Sequence, residues 1–152
     1  MKVYLRYFGL IIFLVFSNLF IINSCSERAE TVSCFPQSQI NVSINTNLPL
    51  YYPVTIQGGW VYVNEVGAGT RGLIIANTAN GYKVYDRNAP HICPDGDSTV
   101  LRVKDNTTIV CDKDGAEWML NGTPINDKSK GLPPKTYPFH YEPSTGVISI
   151  YY

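Results

Sequence analysis

Charge is scarce in this chain of 152 residues and cancels: 12 Lys and Arg stand against 12 Asp and Glu. No basic cluster falls on any predicted element, so the surface that neutralises phosphates in nucleic-acid binding is missing. The chain also contains no Ser/His/Asp signature, no Gly-rich phosphate loop leading from a strand into a helix, and no His-Glu-x-x-His. These absences argue against hydrolytic or nucleotide-dependent chemistry, and the chain reads as a non-enzyme. Helical periodicity is missing as well: after residue 25 no 3.6-residue apolar repeat is sustained over ten or more residues. There is no internal repeat and no low-complexity tract.

The long apolar stretch is confined to the start. Lys2 and Arg6 flank the opening residues, an apolar run from Phe8 to Phe16 continues through Leu19 to Ile22, and Ser24 sits directly before Cys25. This is the layout of a secretory signal. A permanent anchor is the alternative, because Tyr4 to Ile22 approaches the roughly 20 residues that span a bilayer. Ile22-Asn23-Ser24-Cys25 resembles the bacterial lipobox, in which the cysteine takes the lipid. That resemblance implies a signal peptide over 1–24, a lipidated tether over 25–38 and a β domain over 39–152. It makes the membrane, through lipid on Cys25, the expected partner, and the bacterial cell envelope the expected location. Ser26 does not resemble an inner-membrane retention signal, which favours the outer membrane. The remaining 128 residues suffice for one domain and carry 10 basic against 12 acidic side chains.

Residues 26 to 39 are rich in Ser, Glu and Thr and short of large apolar side chains, as expected of a tether. From there the period becomes two. Ile40, Val42 and Ile44 alternate with Asn41, Ser43 and Asn45, and further β-prone runs follow at 60–63, 73–76, 82–85, 99–103, 108–111 and 147–151. Gly58-Gly59, Gly67 to Gly72, Asn80-Gly81, Asp105-Asn106, Asn121-Gly122 and Thr145-Gly146 separate them as turns. The expected fold is all-β, an antiparallel sandwich or small barrel built from hairpins. Pro133-Pro134 and Pro138 mark an extended edge segment, because proline donates nothing to a ladder.

Two loops carry the side chains of chemical interest: Asn88-Ala89-Pro90-His91-Ile92-Cys93-Pro94, and Cys111-Asp112-Lys113-Asp114-Gly115. Their order from Tyr82 to Ile150 resembles the Rieske domain, where one strand runs into Cys-x-His and a later strand into Cys-x-x-His-Gly followed by a Gly-containing hairpin. The region from 40 to 80, with Gly58-Gly59-Trp60-Val61-Tyr62 and Thr70-Arg71-Gly72-Leu73-Ile74, is similar to the front half of Rieske-like lipoproteins of the Bacteroidetes type. The resemblance implies two loop-bearing hairpins, with the four ligand positions at Ala89, His91, Cys111 and Asp114. Two of the four match. A Rieske 2Fe-2S cluster takes two thiolates and two imidazoles, and Ala89 has no donor atom. The resemblance therefore implies a degenerate cluster site and a structural or binding role with no cofactor.

Two alternatives stay open. His91, Cys93, Cys111 and Asp114 form a rearranged quartet for an iron-sulfur (2Fe-2S) cluster, or the same four hold a single Fe or Zn ion, in an electron-transfer protein. With Cys25 assigned to lipid, Cys34, Cys93 and Cys111 remain, in a compartment where disulfides persist. Because the family places the two loops side by side, the resemblance implies a disulfide between Cys93 and Cys111, with Cys34 the odd thiol. His140 reads as a strand-surface histidine, Trp60 and Trp118 as core or loop-lid aromatics, and Asp112 and Asp114 as solvated loop carboxylates.

Overall fold

Short apolar and polar runs become short β-strands spread along the described chain. The structure is a computed structural model and describes residues 31–152. The expected signal at 1–24 and the expected lipid site at Cys25 lie outside the described residues. Nine strands are present among them: β1 (Asn41–Asn45), β2 (Trp60–Val63), β3 (Leu73–Thr78), β4 (Gly81–Asp86), β5 (Leu101–Lys104), β6 (Thr108–Cys111), β7 (Ala116–Met119), β8 (Phe139–Glu142) and β9 (Val147–Tyr151). Two short 3-10 turns, Tyr52–Thr55 and Asp127–Ser129, are the only helical elements among the described residues.

The strands form three small antiparallel sheets, ordered β1-β9-β8, β2-β3-β4 and β5-β6-β7. The all-β expectation holds, and the layering is specific. Leu73 and Ile75 of β3 join Val42, Ile44, Val61, Val63, Ile148 and Ile150 in one core. Ile74 and Ala76 face the other way, into a second core with Leu101, Ile109, Cys111 and Trp118. The middle sheet is thus covered on both faces. That is why Leu73-Ile74-Ile75-Ala76 is apolar without interruption while β1 alternates buried with exposed.

β7 and β8 stand beside the runs picked out from the sequence. Each is four residues long. Ala116 and Trp118 point inward while Glu117 and Met119 do not, too short an alternation to register as a strand in isolation. The 135–137 stretch makes only a single bridge, Thr136 to Tyr85. Asp86 donates its N–H to the Lys135 carbonyl at 2.9 Å and Tyr137 donates to that of Val84 at 3.0 Å. Pro134 and Pro138 on either side have no N–H with which to extend the pairing.

The chain joins the folded body before the boundary set at residue 39. Val32 donates its N–H to the Pro90 carbonyl at 2.8 Å, and Phe35 is 5% exposed. Cys34 is bonded to Cys93, with S–S 2.05 Å and Cα–Cα 5.5 Å. This corrects the expected Cys93–Cys111 bridge. Cys93 lies on the exposed outer side of its loop, as Cys34 does, whereas Cys111 ends β6 with its side chain in the core and is a free thiol. The Cys93 sulfur therefore lies at the surface and the Cys111 sulfur in the interior.

Several tyrosines are locked into this framework. Tyr85 donates its hydroxyl to the Leu120 carbonyl at 2.9 Å, Tyr137 to Asp86 Oδ2 at 2.6 Å, and Tyr51 to Glu65. Burial, reinforced by the Glu65 hydrogen bond and charge, pushes the Tyr51 hydroxyl up to about 12. Burial also pushes those of Tyr85 and Tyr137 well above their ordinary value, with the Asp86 carboxylate adding to the rise at Tyr137. Raised folded-state values mean that the protonated forms stabilise the fold. This contribution is complete below the unfolded value near pH 10 and is lost as pH rises above it. Urea midpoints should therefore hold up to about pH 10 and fall steeply beyond it. Tyr137→Phe should flatten that fall, and an unchanged alkaline slope would contradict the assignment.

Candidate functional site

The two loops singled out in the sequence meet over the second core. The first leaves β4 at Asp86, and that residue sets its course. Asp86 is 1% exposed, and its Oδ1 accepts hydrogen bonds from the Asn88 N–H at 2.6 Å and the Asn88 side-chain amide at 2.8 Å. Its other oxygen accepts the Tyr137 hydroxyl at 2.6 Å. The carboxylate thereby bends the chain away from β4 and pins it to the 135–137 segment. Past the bend, Leu101 donates its N–H to the Arg87 carbonyl at 2.7 Å, so the loop is held against the start of β5.

The second loop is the turn between β6 and β7. Cys111 and Ala116 are cross-strand partners, and the Gly115 N–H closes the turn onto the Cys111 carbonyl at 2.9 Å. Gly115 has φ of +73° and its added Cβ would lie 2.9 Å from Lys128 Nζ, so glycine suits this corner.

Between the loops His91 Nε2 lies 2.7 Å from Asp114 Oδ2. His91 is fully buried, its ring meeting that of Trp118 edge-on at 5.4 Å, while the Asp114 side chain is 30% exposed. Asp114 Oδ1 accepts the Ala116 N–H at 3.0 Å, which fixes the plane of the carboxylate. Burial pushes the Asp114 carboxyl up, but the Ala116 N–H and then the His91 hydrogen bond and charge outweigh it and hold the group below the usual carboxylate range. It is thus an acceptor at neutral pH, with His91 Nε2–H the donor. His91 Nδ1 is buried with no hydrogen-bond partner. Cys111 Sγ faces the Ser98 carbonyl at 3.9 Å, and burial, the largest influence on its thiol, pushes it up, which keeps it protonated.

Of the four candidate ligands, His91, Cys111 and Asp114 converge, with one potential ligand atom from each within 4.8 Å of the others. Cys93 does not join them, since its sulfur is bonded to Cys34. Ala89, 3% exposed, packs in the second core among Tyr85, Cys111 and Trp118. The requirements of a 2Fe-2S cluster are not met by these residues. Among the described residues Cys111 is the one free cysteine, and the resemblance assigns the other thiolate to Ala89, which has no donor atom.

Asp112 and Asp114 are not a carboxylate pair. Asp112 turns outward onto Arg102, with two contacts of 2.6 Å, while Asp114 turns inward. Lys113 between them reaches Asp95 at 2.7 Å. His140 is an exposed strand residue opposite Ser149, as expected of a strand-surface histidine. Trp118 is a core residue whose indole N–H donates to the Leu132 carbonyl at 2.7 Å. The organising role of Asp86 had no signal in the sequence beyond its place at the end of a β-run.

No protein-family profile matches the chain, and no curated protein is similar to it at a significant level.

Proposed function

We propose that this protein is a lipid-anchored bacterial envelope protein of Rieske-like fold that carries no 2Fe-2S cluster and serves as a structural or binding domain. The observation that carries this reading is the fate of the sulfurs. The loop that would supply the first cluster thiolate has alanine at that position, and its cysteine is covalently committed to Cys34. The His91–Asp114 hydrogen bond joins the two loops directly. The disulfide also supports export, because such bonds persist outside the reducing cytosol. Lipid on Cys25 and placement at the outer membrane belong to the same proposal and rest on the lipobox-like Ile22 to Cys25.

Iron and acid-labile sulfide analysis tests the central claim, using full-length protein expressed with its export signal and with iron in excess. The expected protein is colourless, has no stoichiometric iron or sulfide, and gives no Rieske-type electron paramagnetic resonance signal after reduction. A brown protein holding about two irons and two sulfides per chain would overturn the reading.

A further inference from the structure

We propose that His91, Cys111 and Asp114 form a three-ligand site for one divalent cation of borderline softness, with Zn2+ the ion that best matches the donors. An imidazole nitrogen, a sulfur and a carboxylate oxygen lie within 4.8 Å of one another. Zinc accepts all three, at about 2.0–2.2 Å for nitrogen and oxygen and about 2.3 Å for sulfur. Tetrahedral angles at those lengths require ligand atoms roughly 3.3–3.6 Å apart. The His91–Asp114 contact of 2.7 Å must open slightly, and the other separations, all within 4.8 Å, must close by no more than about 1 Å.

Charge favours the same conclusion. A thiolate from Cys111 and the Asp114 carboxylate cancel the two positive charges of the ion, and a neutral imidazole leaves the site without net charge. Burying the ion is then far less costly than burying an uncompensated one. The Cys111 thiol proton leaves to solvent, and the ion takes the place of the hydrogen between His91 Nε2 and Asp114 Oδ2. The ring proton ends on Nδ1, which has no partner inside the fold; where Nδ1 already carries one, the Nε2 proton leaves to solvent.

Access comes through Asp114, the partly exposed member. The fourth position falls to a water, as in three-ligand zinc sites. The strand ends hold the ligands near their places in advance: Cys111 closes β6, Asp114 is fixed by Ala116, and His91 lies on a loop anchored by the Cys34–Cys93 bond.

Titrating metal-free protein with Zn2+ should give one equivalent bound and a rise in thermal midpoint. Co2+ in its place should give the strong visible bands of tetrahedral cobalt and a sulfur-to-cobalt charge-transfer band. Cys111→Ser should abolish that band and weaken Zn2+ binding by more than the roughly 10–100-fold that loss of a partner behind a ligand costs, and Asp114→Asn should weaken it while leaving the band in place. Absence of stoichiometric binding, or cobalt bound without a sulfur band, overturns the proposal. If Cys111→Ser does not fold, the cobalt spectrum of the unaltered protein still decides. The zinc result and the iron-sulfide result are separate measurements, so this site and the cluster-free reading fail independently.

Discussion

Cys34→Ala with Cys93→Ala is expected to lower the unfolding free energy by about 4 kcal/mol. The bond closes a loop of sequence separation 59, and the conformational freedom that such a crosslink removes from the unfolded chain corresponds to roughly that value. Small domains are typically stable by only about 5–15 kcal/mol. The double variant should therefore unfold at much lower urea, and reduction of the unaltered protein should have the same effect. Thiol labelling under non-reducing conditions adds a check on the pairing. Cys111 should resist alkylation in the folded state and react once the protein is unfolded, whereas Cys34 and Cys93 should not react in either state. Equal urea midpoints with and without the bond, or a labelled Cys93, would count against it.

Asp86→Ala is expected to be comparably damaging, on the order of 4 kcal/mol, although it deletes only a small side chain. Three buried donors converge on its two oxygens: the Asn88 N–H, the Asn88 amide and the Tyr137 hydroxyl. Hydrogen bonds to a charged acceptor contribute about 1.5–3 kcal/mol each, and a buried donor left without a partner adds its own desolvation cost. Asp86→Asn keeps one carbonyl oxygen and should recover part of the loss. Tyr137→Phe removes a single bond and should cost about 2 kcal/mol. Chemical denaturation of the three variants tests this order. Asp86→Ala as stable as Tyr137→Phe would show that the bend after β4 is held by something else.

Strand content was readable because the pattern is local. Trp60-Val61-Tyr62-Val63 and Val147 to Tyr151 are strands whose turns carry their own glycine and asparagine signals. The three-sheet layering was not readable. A fully apolar run such as Leu73 to Ala76 says that both faces are covered and does not say by what. At the site, the expectation drawn from the resemblance named four candidate ligands, of which His91, Cys111 and Asp114 lie together and Cys93 does not.

The disulfide did not follow from it, because pairing depends on the direction of each Cβ. Cys93 is two residues beyond His91, and the loop turns it outward while His91 points inward. Its partner sits 59 residues earlier, in a stretch whose composition suggests a tether. Asp86 was equally silent, since one carboxylate at a strand end reads the same whether it caps a loop or faces water.

The Cys34–Cys93 bond also determines how the domain bears load. A pull applied anywhere upstream of residue 34 enters through Cys34 and crosses the sulfur bridge to the loop at Cys93. Residues 35–92, with β1 to β4 among them, sit inside the covalent ring and are bypassed by the tension. The first strand, which would otherwise be peeled from β9, is mechanically shielded. Under reducing conditions the same pull would act on β1 directly and strip it from the sheet.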